Sequence, residues 1–237
     1  MGIITFNGVS SESIGLVVEN PPDYEMPERI YEVTSVPGRN GDVVKDTKSY
    51  KNVVRNYDVA IGAEGAIFAS LAIKISNWLN SEPGYLRLED SYLPDHFMLA
   101  RCAESVTITN ILQQAGRATI PFDRKPQRFL KSGERSQTFS SSPATLQNPT
   151  NQIAKPLIKV NGSGAGTITI NDVEISITKN NGYIMLDCDI EEAYTNVNWN
   201  LYVKTPKGFP NLKPGENTIK FTGSITSLEI TPRWWII

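Results

Sequence analysis

Short alternations of hydrophobic and polar residues run through most of the chain and predict β-strands. A period of two marks a strand with one buried face, and it is clear in ERIYEVTSV, in KNVVRNYDVAI and in the successive runs TITI and VEISI. Asn, Gly and Pro residues, which favour turns, separate these runs. The pattern therefore predicts a chain that is mainly β.

One segment, EGAIFASLAIKISNWLNSEPG, has a helical period instead. Its apolar residues recur at steps of three and four, while polar residues occupy the opposite face. A Pro–Gly pair ends the segment. The apolar face consists of Ile67, Leu71, Ile75, Trp78 and Leu79. We predict a single amphipathic helix of about five turns, packed on a sheet.

A change in composition divides the chain. The stretch from Pro121 to Pro156 is rich in Ser, Pro, Asn, Gln and basic residues, as boundaries between domains often are. We expect residues 1–132 to form a β-rich α+β domain that contains the helix. Residues 133–237 carry short strands at regular spacing, which predicts a β-sandwich. The basic residues within the stretch, such as Arg124 and Arg128, are predicted to lie in a solvated linker or to pair with a neighbouring subunit.

Three glycines in VNGSGAGTITIND, at Gly162, Gly164 and Gly166, raise the question of a phosphate site. A dinucleotide fingerprint needs a helix after the glycines, whereas the residues that follow alternate as a strand. A P-loop would also need a Lys followed by Ser or Thr. The glycines are therefore predicted to form a loose turn in an antiparallel meander, and no cofactor is expected.

Composition and charge exclude several classes of protein. The net charge of the 237 residues is −2 and the pI is about 5.6, so nothing global favours nucleic acid or an anionic membrane. No apolar run reaches transmembrane length, and the N-terminus lacks the pattern of a signal peptide. We expect a protein made in the cytoplasm that has no membrane partner. Cys102 and Cys188 are predicted to be buried thiols.

No set of residues predicts catalysis or metal binding. His96 is the one histidine, and Cys102 lies six residues further along the same predicted strand, about 20 Å away. Asp187 and Asp189 share a strand face and have the chemistry to bind calcium, although an exposed strand face is the better explanation. We predict no catalytic, cofactor-binding or metal-binding residues and no enzymatic activity.

Several phrases together resemble the distal tail proteins of long-tailed bacteriophages and prophages. They are ERIYEVTSVPGRNGDVV, RATIPFDRKPQRF, NPTNQIAKPLIKVNGSGAGTITIND, FPNLKPGENTIKFTG and EITPRWWII. They follow one another in the expected order over almost the whole chain. The resemblance implies an N-terminal domain that assembles into a hexameric ring and a C-terminal galectin-like β-sandwich that points outward.

The resemblance also implies a place and a set of partners. The ring joins the tail tube to the tail tip of the virion and encloses the DNA ejection channel, after assembly in the host cytoplasm. Its partners are other copies of itself, the major tail tube protein, the tail-associated lysin or tail fibre hub and, in some members, a receptor-binding protein. The tape-measure protein and DNA pass through the channel without specific binding.

One loop is the candidate contact of such a ring, with another subunit or with the tube. It consists of Pro37, Gly38, Arg39, Asn40, Gly41 and Asp42. The glycines permit a sharp turn, and Arg39 can make a forked contact with a carboxylate. A plain turn with an exposed Arg remains an equal alternative.

Two other functions stay open at this point. In a carbohydrate-binding module, the C-terminal sandwich would recognise host cell-wall polysaccharide, with Trp199, Trp234 and Trp235 as a stacking platform. Tryptophan in a sandwich is more often part of the core or of an interface. The third possibility, a hydrolase, has no residue pattern in its favour.

Overall fold

The computed structural model describes residues 1–62, 68–102, 104–112, 115–195, 198–199 and 202–237. The chain divides into two compact units, which are Met1–Arg128 with Ile237 (unit 1) and Phe129–Ile236 (unit 2). Strands dominate both units, so the prediction of a mainly β chain is confirmed. No helix formed by the described residues has the length and apolarity needed to cross a membrane.

Unit 1 is a curled sheet with one α-helix and a separate hairpin. Its elements are β1 (Ile4–Phe6), β2 (Val9–Ser10), β3 (Leu16–Val18), β4 (Arg29–Thr34), β5 (Val43–Tyr50), β6 (Val53–Gly62), α1 (Phe68–Leu79), β7 (Leu86–Asp90), β8 (His96–Cys102), β9 (Thr109–Leu112) and β10 (Ala115–Leu130). The main sheet has the order β2-β1-β7-β8-β10-β6-β3, with β9 also on β10, while β4 and β5 pair with each other.

A bridge between Gly2 and Val18 closes the main sheet on itself. The Gly2 N–H donates to the Val18 carbonyl at 3.0 Å, and the Val18 N–H donates back at 2.9 Å. Gly2 precedes β1 and Val18 belongs to β3, so the bridge joins strands near opposite ends of the sheet. Closure of this kind removes unpaired strand edges, which otherwise attract other chains.

The amphipathic helix lies where the sequence predicts it. Leu71, Ile75, Trp78 and Leu79 of α1 are buried in the same core as the inward residues of the sheet. Trp78 meets Phe6 edge to face with ring centroids 5.9 Å apart, and its indole N–H donates to the Phe6 carbonyl at 3.1 Å. The predicted apolar face is therefore confirmed. Ile67, its remaining member, lies outside the described residues.

Unit 2 is built around two long strands that pair along most of their length. Its elements are β11 (Gln137–Phe139), β12 (Ala144–Asn148), β13 (Leu157–Ile170), β14 (Val173–Ile177), β15 (Asn181–Asp187), β16 (Glu192–Thr195), β17 (Asn198–Trp199), β18 (Val203–Lys204), β19 (Gly215–Thr231) and β20 (Trp235–Ile236). The order is β11-β19-β13-β15-β16-β17, with β12 on β19, β14 on β13 and β18 on β14.

The glycine stretch bends these strands and is not the turn predicted from the sequence. Gly162, Gly164 and Gly166 lie inside β13, where its register with β19 shifts. A Cβ on Gly166 would lie 2.6 Å from the Thr222 carbonyl oxygen, and one on Gly223 would lie 2.5 Å from the Ala165 oxygen. The two backbones thus approach too closely for any side chain. The period-two pattern gave no sign of this approach, because it depends on a strand more than fifty residues away.

The bend folds the strands of unit 2 into two layers that enclose one core. The first half of β13 pairs with β15, and its second half pairs with β14. Ile158 and Ile184 from one half and Ile168 and Ile175 from the other belong to a single buried cluster. This packing of two strand layers agrees with the predicted sandwich. Cys188 is buried in the same core, and that burial raises the pKa of its thiol to about 12.

Candidate functional site

The β4–β5 hairpin is the most exposed element of unit 1. Its strands pair with each other and with no other strand of the described chain, and none of their residues is buried. A two-stranded hairpin is marginal on its own in water. Its persistence therefore needs either a firm anchor or a partner.

One face of the hairpin carries a valine pair beside an ion pair. Val33 lies opposite Val44, while Tyr31, one pair further along the same face, lies opposite Asp46, which pairs with Arg29. The Val33, Val44 and Tyr31 side chains are largely exposed. On the other face Lys45 and Glu32 form an ion pair at 2.9 Å. Exposed β-branched and aromatic pairs stabilise a sheet when something covers them. In unit 1 taken alone, they are left open to solvent.

The six predicted contact residues all lie at the tip of this hairpin. The Arg39 N–H donates to the Val36 carbonyl at 3.1 Å, which forms the turn. Gly38 and Gly41 have φ values of 80° and 81°, and a Cβ on either would meet nothing within 4 Å. These glycines serve the turn and not close packing. The geometry brings Pro37–Asp42 together in an exposed loop, and their role in a contact stays a prediction.

Buried arginines anchor the root of the hairpin. Arg124 and Arg128 each donate a guanidinium N–H to the main-chain oxygen of Glu25, at 3.1 Å and 3.2 Å. The Arg55 guanidinium lies 5.1 Å from the centre of the Tyr24 ring. Tyr24 and Glu25 belong to the segment that leads into β4. The segment is therefore tied to β6 and β10 just before the hairpin begins.

Burying the charged groups of this anchor costs folding free energy. Arg55 and Arg124 are fully buried, and burial, with repulsion from Arg128 and Arg55, lowers the pKa of Arg124 to about 10. Asp90 accepts hydrogen bonds from Arg55 at 3.0 Å and from the Tyr57 hydroxyl at 2.9 Å. Burial raises the pKa of Tyr57 well above its ordinary value, so this hydroxyl remains a donor.

The sequence prediction missed this anchor. It assigned Arg124 and Arg128 to a solvated linker or to a salt bridge with a neighbouring subunit, whereas Arg124 is fully buried within β10 of its own subunit. The alternation in RATIPFDR could have indicated that Arg124 is buried, because it places Arg124 on the same face as Ile120 and Phe122. A charged residue on an apolar face needs polar partners, and these partners come from distant parts of the chain.

Other candidate sites from the sequence are engaged elsewhere. Asp187 gives its two carboxylate oxygens to Arg233, at 2.7 Å and 2.9 Å, and Asp189 lies 3.4 Å from the Lys155 ammonium. The Asp187 carboxylate, the first ligand of the calcium alternative, is therefore already engaged by Arg233. Within the described ranges no three His, Cys, Asp or Glu residues form a group that could hold a metal. His96 begins β8 and Cys102 ends it, as expected from their spacing.

The tryptophan platform of the carbohydrate-binding alternative does not form around Trp234. This side chain is only 3% exposed and belongs to the core of unit 2. The Trp235 indole N–H donates to the Ile153 carbonyl at 2.9 Å. The side chain of Trp199 lies outside the described residues. The two described tryptophans thus serve packing, the alternative already expected for sandwich tryptophans.

Comparison with known proteins gives a full-length likeness of fold. The structure is similar to that of SPP1 Dit (gp 19.1), which is described as a paradigm of the hub adsorption apparatus in phages that infect Gram-positive bacteria. The likeness covers 100% of each chain with a TM-score of 0.74, at 14% sequence identity. No protein-family profile matches the sequence, and no curated protein matches it. At an identity this low, the likeness shows a shared fold and nothing about function.

Proposed function

We propose that this chain is a distal tail protein, a structural hub of a phage tail tip. In this role it forms a hexameric ring that joins the tail tube to the tail-tip complex and encloses the DNA ejection channel. The observation that carries the proposal is the anchored hairpin, whose Tyr31, Val33 and Val44 side chains are covered by no described residue of unit 1. The full-length likeness of fold to SPP1 Dit supports the assignment to a tail hub.

The hairpin is the assembly element in this proposal. A ring forms when each copy docks one surface onto a different surface of the next copy and the rotation closes. The face with Tyr31, Val33 and Val44 supplies apolar area for such a contact. At about 25 cal/mol per Å² of buried apolar surface, covering these side chains favours association over the open hairpin. The anchor at Glu25 fixes the direction in which the hairpin leaves unit 1.

The two parts of the chain take different roles. Residues 1–132, with the hairpin, form the ring, while residues 133–237 form an outward galectin-like module. The partners are neighbouring copies, the major tail tube protein and the tail-associated lysin or fibre hub, with a receptor-binding protein as a further candidate. The protein acts in the virion tail tip, after assembly in the host cytoplasm. No catalytic step belongs to this role.

The channel must let DNA pass without holding it. Clustered Lys and Arg on its wall would bind phosphates by releasing counterions. The chain has a net charge of −2, which is compatible with a neutral or acidic wall. We expect lumen-facing residues of the ring to be neutral or acidic, and a lysine-lined bore in an assembled ring would refute this.

The molar mass of the purified full-length chain tests the proposal. Light scattering after size exclusion should give six times the 26.3 kDa subunit mass as concentration rises, or that mass plus the mass of bound tube protein when the tail tube protein is present. A mass that stays at one subunit under both conditions would contradict ring formation.

A further inference from the structure

A polar groove lies on the outer face of unit 1, and its described lining includes no residue of the hairpin or of the arginine anchor. It has a volume of about 560 Å³ and is open to solvent. Its floor is formed by the outward residues of β6 and β10, where Asp58 lies directly opposite Thr119. Its lining also includes charged and hydroxyl-bearing residues, among them Glu19, Glu104, Thr109 and Arg117. No role described above uses this groove.

The groove has more negative charge than its one cation can balance. Arg117 pairs with Glu19 at 2.9 Å. Among the described side chains, Asp58 accepts a hydrogen bond only from the neutral Thr119 hydroxyl, at 2.6 Å. Glu104 makes no ion pair with any residue that the structure describes. Two carboxylates, Asp58 and Glu104, are thus left without a cation in one concave surface.

The chemistry of the groove favours an organic cation over a metal ion. The described acidic residues include no group of three that could hold a metal. Hydroxyl groups, among them Thr109 and Thr119, line the groove beside the carboxylates. Carboxylates spread among hydroxyls suit a guanidinium, whose five N–H donors point in fixed directions and bind carboxylate oxygens pairwise.

The hairpin tip offers such a cation. Arg39 is exposed at the turn and makes no described ion pair, whereas Arg29, Lys45 and Lys51 pair with acids of the hairpin or of its flanks. Lys48 also makes no described ion pair, but it lies within β5 and not at the tip. With strands that rise about 3.3 Å per residue, the hairpin carries its tip well away from its root. We propose that the groove of one copy receives the Arg39 loop of the next copy, with Arg39 bound by Glu104 and Asp58.

This inference rests on the proposed ring, because a second copy supplies the cation. It adds the receiving surface, which the hairpin alone does not define. Both halves of the contact lie in unit 1, so every copy offers one tip and one groove. In a closed ring, every hairpin tip is then bound in a groove and every groove is filled by a tip.

Charge reversal and complementation test the pairing. We expect Arg39→Glu and Glu104→Lys each to raise the concentration for half-assembly at least about tenfold, as measured by light scattering. An equimolar mixture of the two variants should recover assembly. In an alternating ring, Glu at position 39 meets Lys at position 104 at one interface, and the native pair forms at the next.

Two controls separate this contact from general effects. Glu82→Lys makes the same charge change at an exposed position outside the groove and should assemble as the unchanged chain does. The melting temperature of each single variant should stay within about 2 °C of the unchanged protein, which excludes misfolding.

The outcomes distinguish the two proposals. If the unchanged chain never assembles, the ring itself is wrong and the groove pairing falls with it. If it assembles and Glu104→Lys assembles equally well, the groove is not the receiving surface, although the ring stands. If Arg39→Glu alone is impaired and the mixture does not recover, Arg39 docks elsewhere and the inference is overturned.

Discussion

Val33 and Val44 lie opposite each other across the β4–β5 hairpin and leave 60% and 58% of their surfaces exposed. Cross-strand valine pairs normally stabilise a sheet by packing under a second layer. Here the pair faces outward on an element that is anchored by buried arginines. The hairpin therefore has the form of an arm that is held by its own subunit and, under the proposed function, is covered by another.

The first prediction concerns this apolar face. Val33→Asp should weaken assembly at least about tenfold, because full burial of a valine contributes about 1.5–3 kcal/mol and a buried unpaired carboxylate adds a further cost. Subunit stability should change little, since Val33 packs against no core. Light scattering over a concentration series measures the shift.

Thr145→Asp is the matched control for Val33→Asp. Thr145 is also a β-branched, exposed strand residue, but it lies in β12 of unit 2. Equal weakening of assembly by both variants would mean that the effect comes from added charge and not from the hairpin face.

The second prediction concerns the anchor. Asp90→Asn should lower the free energy of unfolding by about 3 kcal/mol or more, because it leaves Arg55 buried without its counter-charge. Urea denaturation measures this change. Asp95→Asn, at an exposed turn, should have little effect, and equal stability of the two variants would show that Asp90 does not compensate the buried arginines.

The third prediction separates backbone strain from close approach in unit 2. Gly223 and Gly208 have φ values of 72° and 77°, so alanine costs about 1–2 kcal/mol at either position through the left-handed conformation. Only at Gly223 would the new Cβ also meet backbone atoms, at 2.5 Å. Gly223→Ala should therefore cost about 1–3 kcal/mol more than Gly208→Ala. Similar losses in denaturation experiments would refute the bend described for β13 and β19.

The fourth prediction concerns pH. Burial alone would raise the pKa of the Asp187 carboxyl, but hydrogen bonds from Arg233 and from the Asp189 N–H lower it below its ordinary value of 3.8. A lowered pKa in the folded state contributes stability above pH about 4, and this contribution is lost as pH falls through the folded value. The stability gap between the unchanged chain and Asp187→Asn should thus be largest near neutral pH and shrink below pH about 4.

Unfolding measured at several pH values follows that gap. Asp172→Asn, at an exposed turn residue, should give a small gap that varies little with pH. A gap for Asp187→Asn that widened in acid would contradict the role given to Arg233.

The sequence predicted the features that depend on local periodicity. The face of α1, with Leu71 and Trp78, follows from steps of three and four, and the turn at Gly38 and Gly41 follows from their conformational freedom. The sequence did not predict the features that depend on strands far apart in the chain. The crossing of Gly166 with Thr222 and the meeting of Arg124 with Glu25 join residues far apart in the chain, and no local pattern encodes them.

The candidate site divides in the same way. The sequence pointed to the loop around Arg39 by its turn chemistry. It gave no indication that the loop ends an exposed hairpin, because β4 alternates like a half-buried strand and the pattern over Val43–Tyr50 predicts no partner strand. The exposure of both faces emerges only when the rest of unit 1 is seen to close on itself through Gly2 and Val18.

An electron cryomicroscopy map of the assembled particle would show whether the hairpin joins neighbouring subunits. We expect a closed ring of six copies in which the Tyr31, Val33 and Val44 side chains of each hairpin are covered by the neighbouring copy. A particle in which these side chains remain open to solvent, or a chain that stays single at every concentration, would contradict it.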